Sequence, residues 1–406
     1  MNRSYVPRLA AKTLKHHLSA IPVTTLRGAR HTGKATLAKI VGGPHRSFLT
    51  LDDPEVARLA SRPEAILRGT SPVTIAEIQR NPQLLSAIVD EVDRRDGLGV
   101  VLLTAPMNLL ALDETIERLR GRGSYLTLWP MTRRELKGLG RAGLWDELLD
   151  TPEVAWPDLV VADTVGPEDW RYWVCHGGLP VPALKLTSSV DRAMWMEGYI
   201  TSYLERDLRA ISNVASLPSL RQIMRELALR NGELVNQTHF ARQLGVPQPT
   251  MHRHLKLLSE SYMLVRLRPL VPSRFLRDSR KPRLYFIDTA VGLHLADWPA
   301  PNPSHLKSMV LLDLLAWRDA HVGHADVCFW QSYVGDEVDF VLEQRRKLIP
   351  ITVTTAERPH VRDARGICAF RHEHQDRSCA GLLLHGGEET NWLLPGVLAT
   401  PWWRVI

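Results

Sequence analysis

The chain has 406 residues, 44% of them hydrophobic and 23% charged, a balance that excludes wholesale disorder and leaves room for about two to four domains. Four scattered cysteines, Cys175, Cys328, Cys368 and Cys379, exclude a disulfide framework and fit a reducing compartment. The longest apolar run, Val100 to Leu112, is broken by Thr104, Pro106 and Asn108 and is too short to span a bilayer, so a cytoplasmic protein with no membrane partner is expected, there being no signal-peptide core at the start.

The net charge of +7 is unevenly placed. Residues 1–51 hold nine Lys/Arg and no acid, and residues 242–283 hold ten against Glu260 and Asp278, which leaves the remainder acidic on balance. An acid-free start can mimic a transit peptide, but a folded motif begins inside it. A β-type run, Val23 to Leu26, enters Gly28-x4-Gly33-Lys34, and a helical pattern leaves through Leu37, Ala38 and Ile40. Strand, glycine loop and helix are the setting of a phosphate-binding loop. Gly28 and Gly33 turn backbone N–H groups onto an anion, and Lys34 reaches the outer phosphates. The residue that would ligate Mg²⁺ as Ser or Thr is Ala35. Thr36 could contact an α-phosphate but stands one place too late for the metal.

Ser47 to Leu51 reads as the next strand, followed by Asp52, Asp53 and a helix opened by Pro54. Pro72 to Ile75 is a strand that ends on Ala76 and Glu77. A pair of acids there would hold Mg²⁺ and polarise the attacking water, and only Glu77 is present. A Leu- and Ile-rich helix, Pro82 to Arg95, precedes the strand Gly99–Leu103 and Thr104. Thr104 reads either as a γ-phosphate sensor or as a strand-end cap. A helix Glu114–Arg120, then Gly121-Arg122-Gly123 and a strand Tyr125–Leu128, complete an alternation that argues a parallel, doubly wound sheet.

The ordered series Tyr5-Val-Pro-Arg8, Gly28-x-Arg30-x-x-Gly33-Lys34, Leu51-Asp52-Asp53, Glu77-Ile-Gln-Arg-x-Pro82 and Gly121-Arg122 resembles a family of prokaryotic AAA-type ATPases with a C-terminal domain of unknown function. Tyr199 to Leu208, Lys281 to Asp288 and Pro401-Trp402-Trp403 extend the resemblance over nearly the whole chain. It implies ATP held by Gly28, Arg30, Gly33, Lys34, Thr36 and Thr104, with Glu77 as the water-positioning base and Arg122 as a charge partner. The family pattern would have Thr at Ala35, Asp at Ala76 and Gly-Ser at Ala105-Pro106. With both Mg²⁺-related positions alanine, binding with weak or no hydrolysis and weak or no Mg²⁺ is the expectation, and a slow ATPase or a nucleotide-free scaffold are the alternatives.

Between Leu144 and Trp170 the chain is acidic and Pro-spaced, as in a lid or connector, and Cys175 to Pro180 is a glycine turn. Helices run through Ala193–Leu208, where Glu205, Arg206 and Asp207 read as an ion-pair face. Leu220–Arg230 precedes a short helix, His239–Leu244, capped by Thr238; Gly245-Val246 turns into a second helix, Met251–Ser259, and the strand Tyr262–Pro269 follows. This is a winged-helix arrangement, and the family shares such a module. Gln248, Thr250, His252, Arg253 and Lys256 fall on the outer side of the second helix, where a recognition helix meets the major groove, and Arg266, Arg268, Arg274, Arg277 and Arg280 follow on the wing. The basic stretch favours double-stranded DNA as a partner, while such a module also serves protein contact or a homo-oligomer.

Gly335 to Val341 and Leu348 to Thr354 read as a strand pair across the basic turn Arg345–Lys347. In the family this resembles a restriction-endonuclease core, with an Asp on one strand and Glu-x-Lys on the next. Here Thr352 and Thr354 replace the Glu and Lys, and Asp339 is the vestige, so nuclease chemistry is not expected. Cys368, His372, His374 and Cys379 match no standard zinc spacing and read as a polar loop. The expected fold is α/β: a P-loop parallel-sheet domain (1–140), a helical connector (141–215), a winged helix (216–275) and an α/β nuclease-like domain (276–406).

Overall fold

The computed structural model describes residues 5–67, 72–95, 97–106, 119, 121–162, 166–204, 217–271, 280–298, 300–321 and 323–406. The expected helix Glu114–Arg120 apart from Leu119, the ion-pair face Glu205–Asp207 and the wing arginines Arg274 and Arg277 lie outside them. Strands Val23–Arg27 (β1), Ser47–Thr50 (β2), Val73–Ala76 (β3), Val101–Ala105 (β4) and Gly123–Thr127 (β5) form one sheet in the order β2-β3-β4-β1-β5. Every pairing in it is parallel. Side chains alternate between two cores. Val101 and Leu103 join Val23, Ile75 and the helix Leu84–Arg95, whereas Leu102 joins Leu26, Leu126 and the helices Ala10–Ala20 and Lys34–Gly42. A strand buried on both faces has no polar side to show, which is why these segments read as continuous apolar runs.

A second unit contains the helices Leu217–Leu229, Gln237–Gln243 and Gln248–Glu260, then an antiparallel pair, Leu264–Leu267 (β6) with Arg283–Phe286 (β7). Leu255 and Leu258 face its core with Leu220, Ile223, Met224 and Phe240. The cap of the short helix is Asn236 rather than Thr238, because the Asn236 Oδ1 accepts from the N–H groups of Thr238 and His239. The helix after the turn begins at Gln248, three residues earlier than the apolar periodicity indicates, with Pro249 in its first turn where a missing N–H costs nothing.

The third unit is a mixed six-stranded sheet. Ala325–Gln331 (β8), Glu337–Gln344 (β9), Lys347–Val353 (β10), Gly381–His385 (β11), Asn391–Leu394 (β12) and Val397–Pro401 (β13) run in the order β12-β13-β11-β10-β9-β8. The anticipated pair β9/β10 is antiparallel and turns on Arg345 and Arg346, both at positive φ (46° and 68°). The helix Pro303–Ala320 covers one face through Leu306, Val310, Leu314 and Trp317.

The described residues of the segment 141–215 do not form a separate connector but join two different cores. Trp145, Trp156, Trp170 and Val174 sit in the same core as Phe340, Ile351 and Trp402, while Met196, Tyr199 and Ile200 sit with the helix-turn-helix. Acidic, Pro-spaced composition described its surface and not the tryptophans beneath. Among the described residues no helix is long and apolar enough to cross a membrane.

Candidate functional site

The loops after β1, β3 and β4 leave the same edge of the parallel sheet, the carboxyl ends where open α/β sheets bind ligands. β1 stops at Arg27 and the chain turns through Gly28, which adopts φ 142° because a Cβ there would lie 2.2 Å from the Leu128 carbonyl oxygen. Gly28 therefore serves the packing of the loop against the segment after β5. Gly33, at φ 93°, starts the helix Lys34–Gly42 and aims its first N–H groups outward.

Lys34 is buried, and its Nζ donates to the carbonyls of Gly28 (2.9 Å) and Ala29 (2.7 Å). The ammonium is thus held inside the loop by its own carbonyl oxygens. A cavity of about 620 Å³ opens beside it. Arg30, Gly33, Lys34, Ala35 and Thr36 form one wall and Asp52 and Glu77 another, with Tyr5, Ile40 and Leu184 among the apolar surfaces. Ala35 is exposed and lines this cavity with its methyl group. Ala76 ends β3, buried, and adds no carboxylate.

Glu77 reaches the cavity from a left-handed backbone (φ 62°). Its N–H donates to the Thr104 Oγ1 at 3.3 Å, and its carboxylate accepts from the Gln79 Nε2 at 2.8 Å. Thr104 is fully buried behind it, where it fixes the turn that carries Glu77. Asp52 is paired with Arg80. Arg122 is not brought to this site. It precedes β5 at the end of the sheet where β1 begins, roughly 13 Å of strand from the loop at about 3.3 Å per residue, and pairs with Asp93 at 2.5 Å.

Sequence reasoning gave no role to Arg8. Its buried guanidinium donates to the Glu135 Oε1 (3.0 Å), the Thr32 carbonyl (2.7 Å) and the Trp129 carbonyl (2.7 Å). Glu135 is in turn fixed by a capping box with Thr132, whose Thr-x-x-Glu spacing was a readable sign of a helix start. His31, at φ 61°, packs edge-on against Trp195 and Tyr199 of the helix Ser189–Ser202, and the Tyr199 hydroxyl donates to the Arg30 carbonyl at 3.4 Å. The loop is thereby joined to the core of the helix-turn-helix unit. Asp288 was also missed. Its buried carboxylate accepts from the N–H groups of Gly178, Leu179, Ala290 and Val291, and burial raises its pKa against those four bonds.

On the helix Gln248–Glu260, Gln248, His252, Arg253 and Lys256 are exposed and Thr250 is half-buried, so the outer face is the one the spacing indicates. Gln248 Nε2 donates to the Thr238 Oγ1 at 3.0 Å, and Lys256 lies 3.6 Å from Glu260. Arg268 is exposed and Arg266 half-buried at β6. In the third unit, Asp339 is buried and engaged by cations: Lys307 Nζ at 2.5 Å and Arg283 Nη1 at 3.5 Å, with the Val353 N–H donating at 2.9 Å. The Thr352 hydroxyl is buried without a partner among the described residues, and Thr354 accepts from the Ala356 N–H. Two cations, Lys307 and Arg283, thus stand at the Asp339 carboxylate. Cys368 is exposed on the helix Arg365–Glu373, and the His374 ring lies 4.5 Å from that of Phe370. Among the described residues no group of three or more His, Cys, Asp or Glu side chains is placed to hold a metal ion.

Residues 21–137 match the family described as an AAA domain, residues 167–302 a domain of unknown function (DUF8612) and residues 304–405 another (DUF4143). Uncharacterized proteins of Mycobacterium tuberculosis and Mycobacterium bovis are each 30% identical over 289 residues, 70% of this chain and 58% of theirs. The chain therefore aligns with less than two thirds of these relatives. Among solved structures, a Walker-type ATPase of Pyrococcus abyssi aligns over 73% of this chain and 99% of its own at 17% identity and a TM-score of 0.45. The RuvB Holliday junction branch migration motor of Thermotoga maritima aligns over 64% and 86% at 20% and 0.29. The chain thus contains a domain that matches the AAA family, adjoined by two domains of unknown function.

Proposed function

We propose that this protein binds ATP at the loop of residues 28–36 with little or no hydrolysis, and that nucleotide occupancy governs the binding of double-stranded DNA or a protein partner by a winged-helix unit. One observation carries the reading. The anion-binding parts of the loop are complete and face a cavity, while the position beside Lys34 that would hold Mg²⁺ presents the methyl of Ala35. Gly33, Lys34 and the first N–H groups of the following helix would hold the phosphates, and Thr36 and Arg30 lie within the same wall. Glu77, which lines the same cavity, would orient a water. Without a metal, however, the charge that develops on the transferred phosphoryl group lacks its main stabiliser, which is the larger contribution in such chemistry.

The helix-turn-helix contributes exposed Gln248, His252, Arg253 and Lys256, and the contact of His31 with Trp195 and Tyr199 supplies a physical link from the loop. The cation-filled surroundings of Asp339 support a nuclease-like fold without nuclease chemistry. A slow ATPase is the second reading, favoured by Asp52 and Glu77 sharing the cavity with Lys34.

Calorimetric titration with ATP, with and without Mg²⁺, separates these. The expected result is binding that depends little on Mg²⁺, is lost in Lys34→Ala, and comes without turnover in the wild type. Ala35→Thr combined with Ala76→Asp is expected to make binding Mg²⁺-dependent and to bring turnover. Mg²⁺-dependent wild-type turnover that disappears in Glu77→Gln would establish the second reading. No heat with ATP under either condition would leave a scaffold that does not use nucleotide.

A further inference from the structure

A larger cavity, about 860 Å³, lies between the helices Ser189–Ser202, Leu217–Leu229 and Thr289–Ala296 and shares no lining residue with the nucleotide cavity. We propose that it is a second ligand site, for a small amphipathic oxyanion: a phosphate or carboxylate carried on a flat apolar body.

The charge pattern is the first reason. Arg192, Arg221 and Arg225 all face the cavity. Arg221 and Arg225 are four residues apart on one helix, a like-charge spacing that destabilises unless an anion joins it. The carboxylate on the opposite wall, Glu197, does not supply that anion to all three. It is taken bidentately by Arg221 Nη2, at 2.5 and 2.6 Å, and by the His294 Nε2 at 3.2 Å. Asp297 is the other acid of the lining. Arg225 makes no hydrogen bond or ion pair among the described residues. Arg192 is anchored through Nη1 alone, to the carbonyls of Leu186 and Thr187 at 3.0 Å each, which orients its guanidinium and leaves the remaining donors available. A fixed guanidinium with unused donors is suited to a forked oxyanion contact.

The second reason is shape. Met196, Leu293 and Trp298 give the same cavity an apolar lining. Its volume falls in the range of small-molecule sites, which pair an apolar lining with a few convergent polar groups. A free inorganic ion would leave that surface wet, whereas an anion with a ring attached uses both. The inference stands apart from the reading of the nucleotide loop. The two meet through the helix Ser189–Ser202, which carries Arg192 and Met196 toward this cavity and Trp195 and Tyr199 toward His31.

Titration calorimetry on the full chain tests it with phenyl phosphate and benzoate as the anions, and inorganic phosphate and benzyl alcohol as probes that lack the body or the charge. We expect submillimolar affinity for phenyl phosphate, benzoate or both, weakened about tenfold by Arg225→Gln, a substitution that removes one charge-assisted contact and no native one, and unchanged by Lys34→Ala. The difference between the two anions assigns the headgroup. Cys175 also lines the cavity, so its alkylation by N-ethylmaleimide, assigned with Cys175→Ser, should slow when the anion is bound. Absence of binding by both anions at millimolar concentration, equal affinity in Arg225→Gln, loss of binding in Lys34→Ala, or benzyl alcohol binding as tightly as the anions would each overturn the site.

Discussion

Arg8 joins three parts of the P-loop domain with one guanidinium: the loop at Thr32, the end of β5's extension at Trp129, and the buried carboxylate of Glu135. Removing it would leave Glu135 buried with the Leu9 N–H and the Thr132 cap but no cation. A broken buried pair costs about 3–5 kcal/mol, so Arg8→Ala should unfold at markedly lower urea than the wild type and lose affinity for ATP together with stability. Arg8→Lys should recover part of the charge and none of the fork. An unfolding midpoint in Arg8→Ala equal to the wild type would end the clamp interpretation. None of this was legible at residue 8, because its partners lie 24, 121 and 127 residues away. The loop itself was legible, since Gly33, Lys34 and the flanking strand and helix are neighbours in sequence. The role of Gly28 was half-read: the need for glycine there comes from Leu128, which spacing along the chain does not reveal.

Among the elements, the helix Gln248–Glu260 is amphipathic in the plain sense that Met251, Leu255 and Leu258 are buried while His252, Arg253 and Lys256 are exposed. If it reads DNA through phosphates, affinity for a duplex should fall steeply with salt, and Arg253→Ala with Lys256→Ala should lower the log–log salt slope by about two. A filter-binding or anisotropy series decides it, and the DNA reading is lost if no binding is seen at about 50 mM salt, where phosphate contacts are strongest. The elements that sequence periodicity located correctly are those with a one-sided apolar stripe or a doubly buried strand. Their ends were less readable. Asn236 and Thr238 are both good caps by composition, and the choice of Asn236, whose Oδ1 accepts from the Thr238 and His239 N–H groups, shows only in the folded backbone.

For the whole molecule, the expectation of four consecutive domains missed how the units share cores. Asp313, buried in the helix Pro303–Ala320, accepts from the Gly143 N–H at 2.8 Å and the Trp145 Nε1 at 2.6 Å, tying residues 142–145 into the third unit. Burial outweighs these bonds and pushes its pKa from 3.8 up to about 6. The folded state therefore holds a proton that the unfolded state has released, and the contribution of this group, full below 3.8, is lost as pH rises through about 6. Asp313→Asn keeps an acceptor oxygen and removes the buried charge, so its melting temperature should exceed the wild type's by more at about pH 8 than at about pH 5. A gain that is equal at the two pH values would mean that Asp313 is not the titrating group. Such a tie joins residues 170 positions apart, beyond the reach of any pattern read along a helix or strand.

The same core imposes an order of events during synthesis. The Leu144 N–H donates to the Val405 carbonyl at 2.9 Å, the Arg134 Nη2 to the Arg404 carbonyl at 3.0 Å, and Trp402 packs with Trp145 and Trp156. Arg134 and Arg404 are 270 residues apart. At a ribosomal rate of about 5–20 residues per second, the groove around Trp145 waits roughly 15–50 s for the helix Trp402–Val405 that closes it. During that interval the surface around Trp145 and Trp156 is open to water, while the parallel sheet, whose last strand ends at Thr127, already has all five of its own strands.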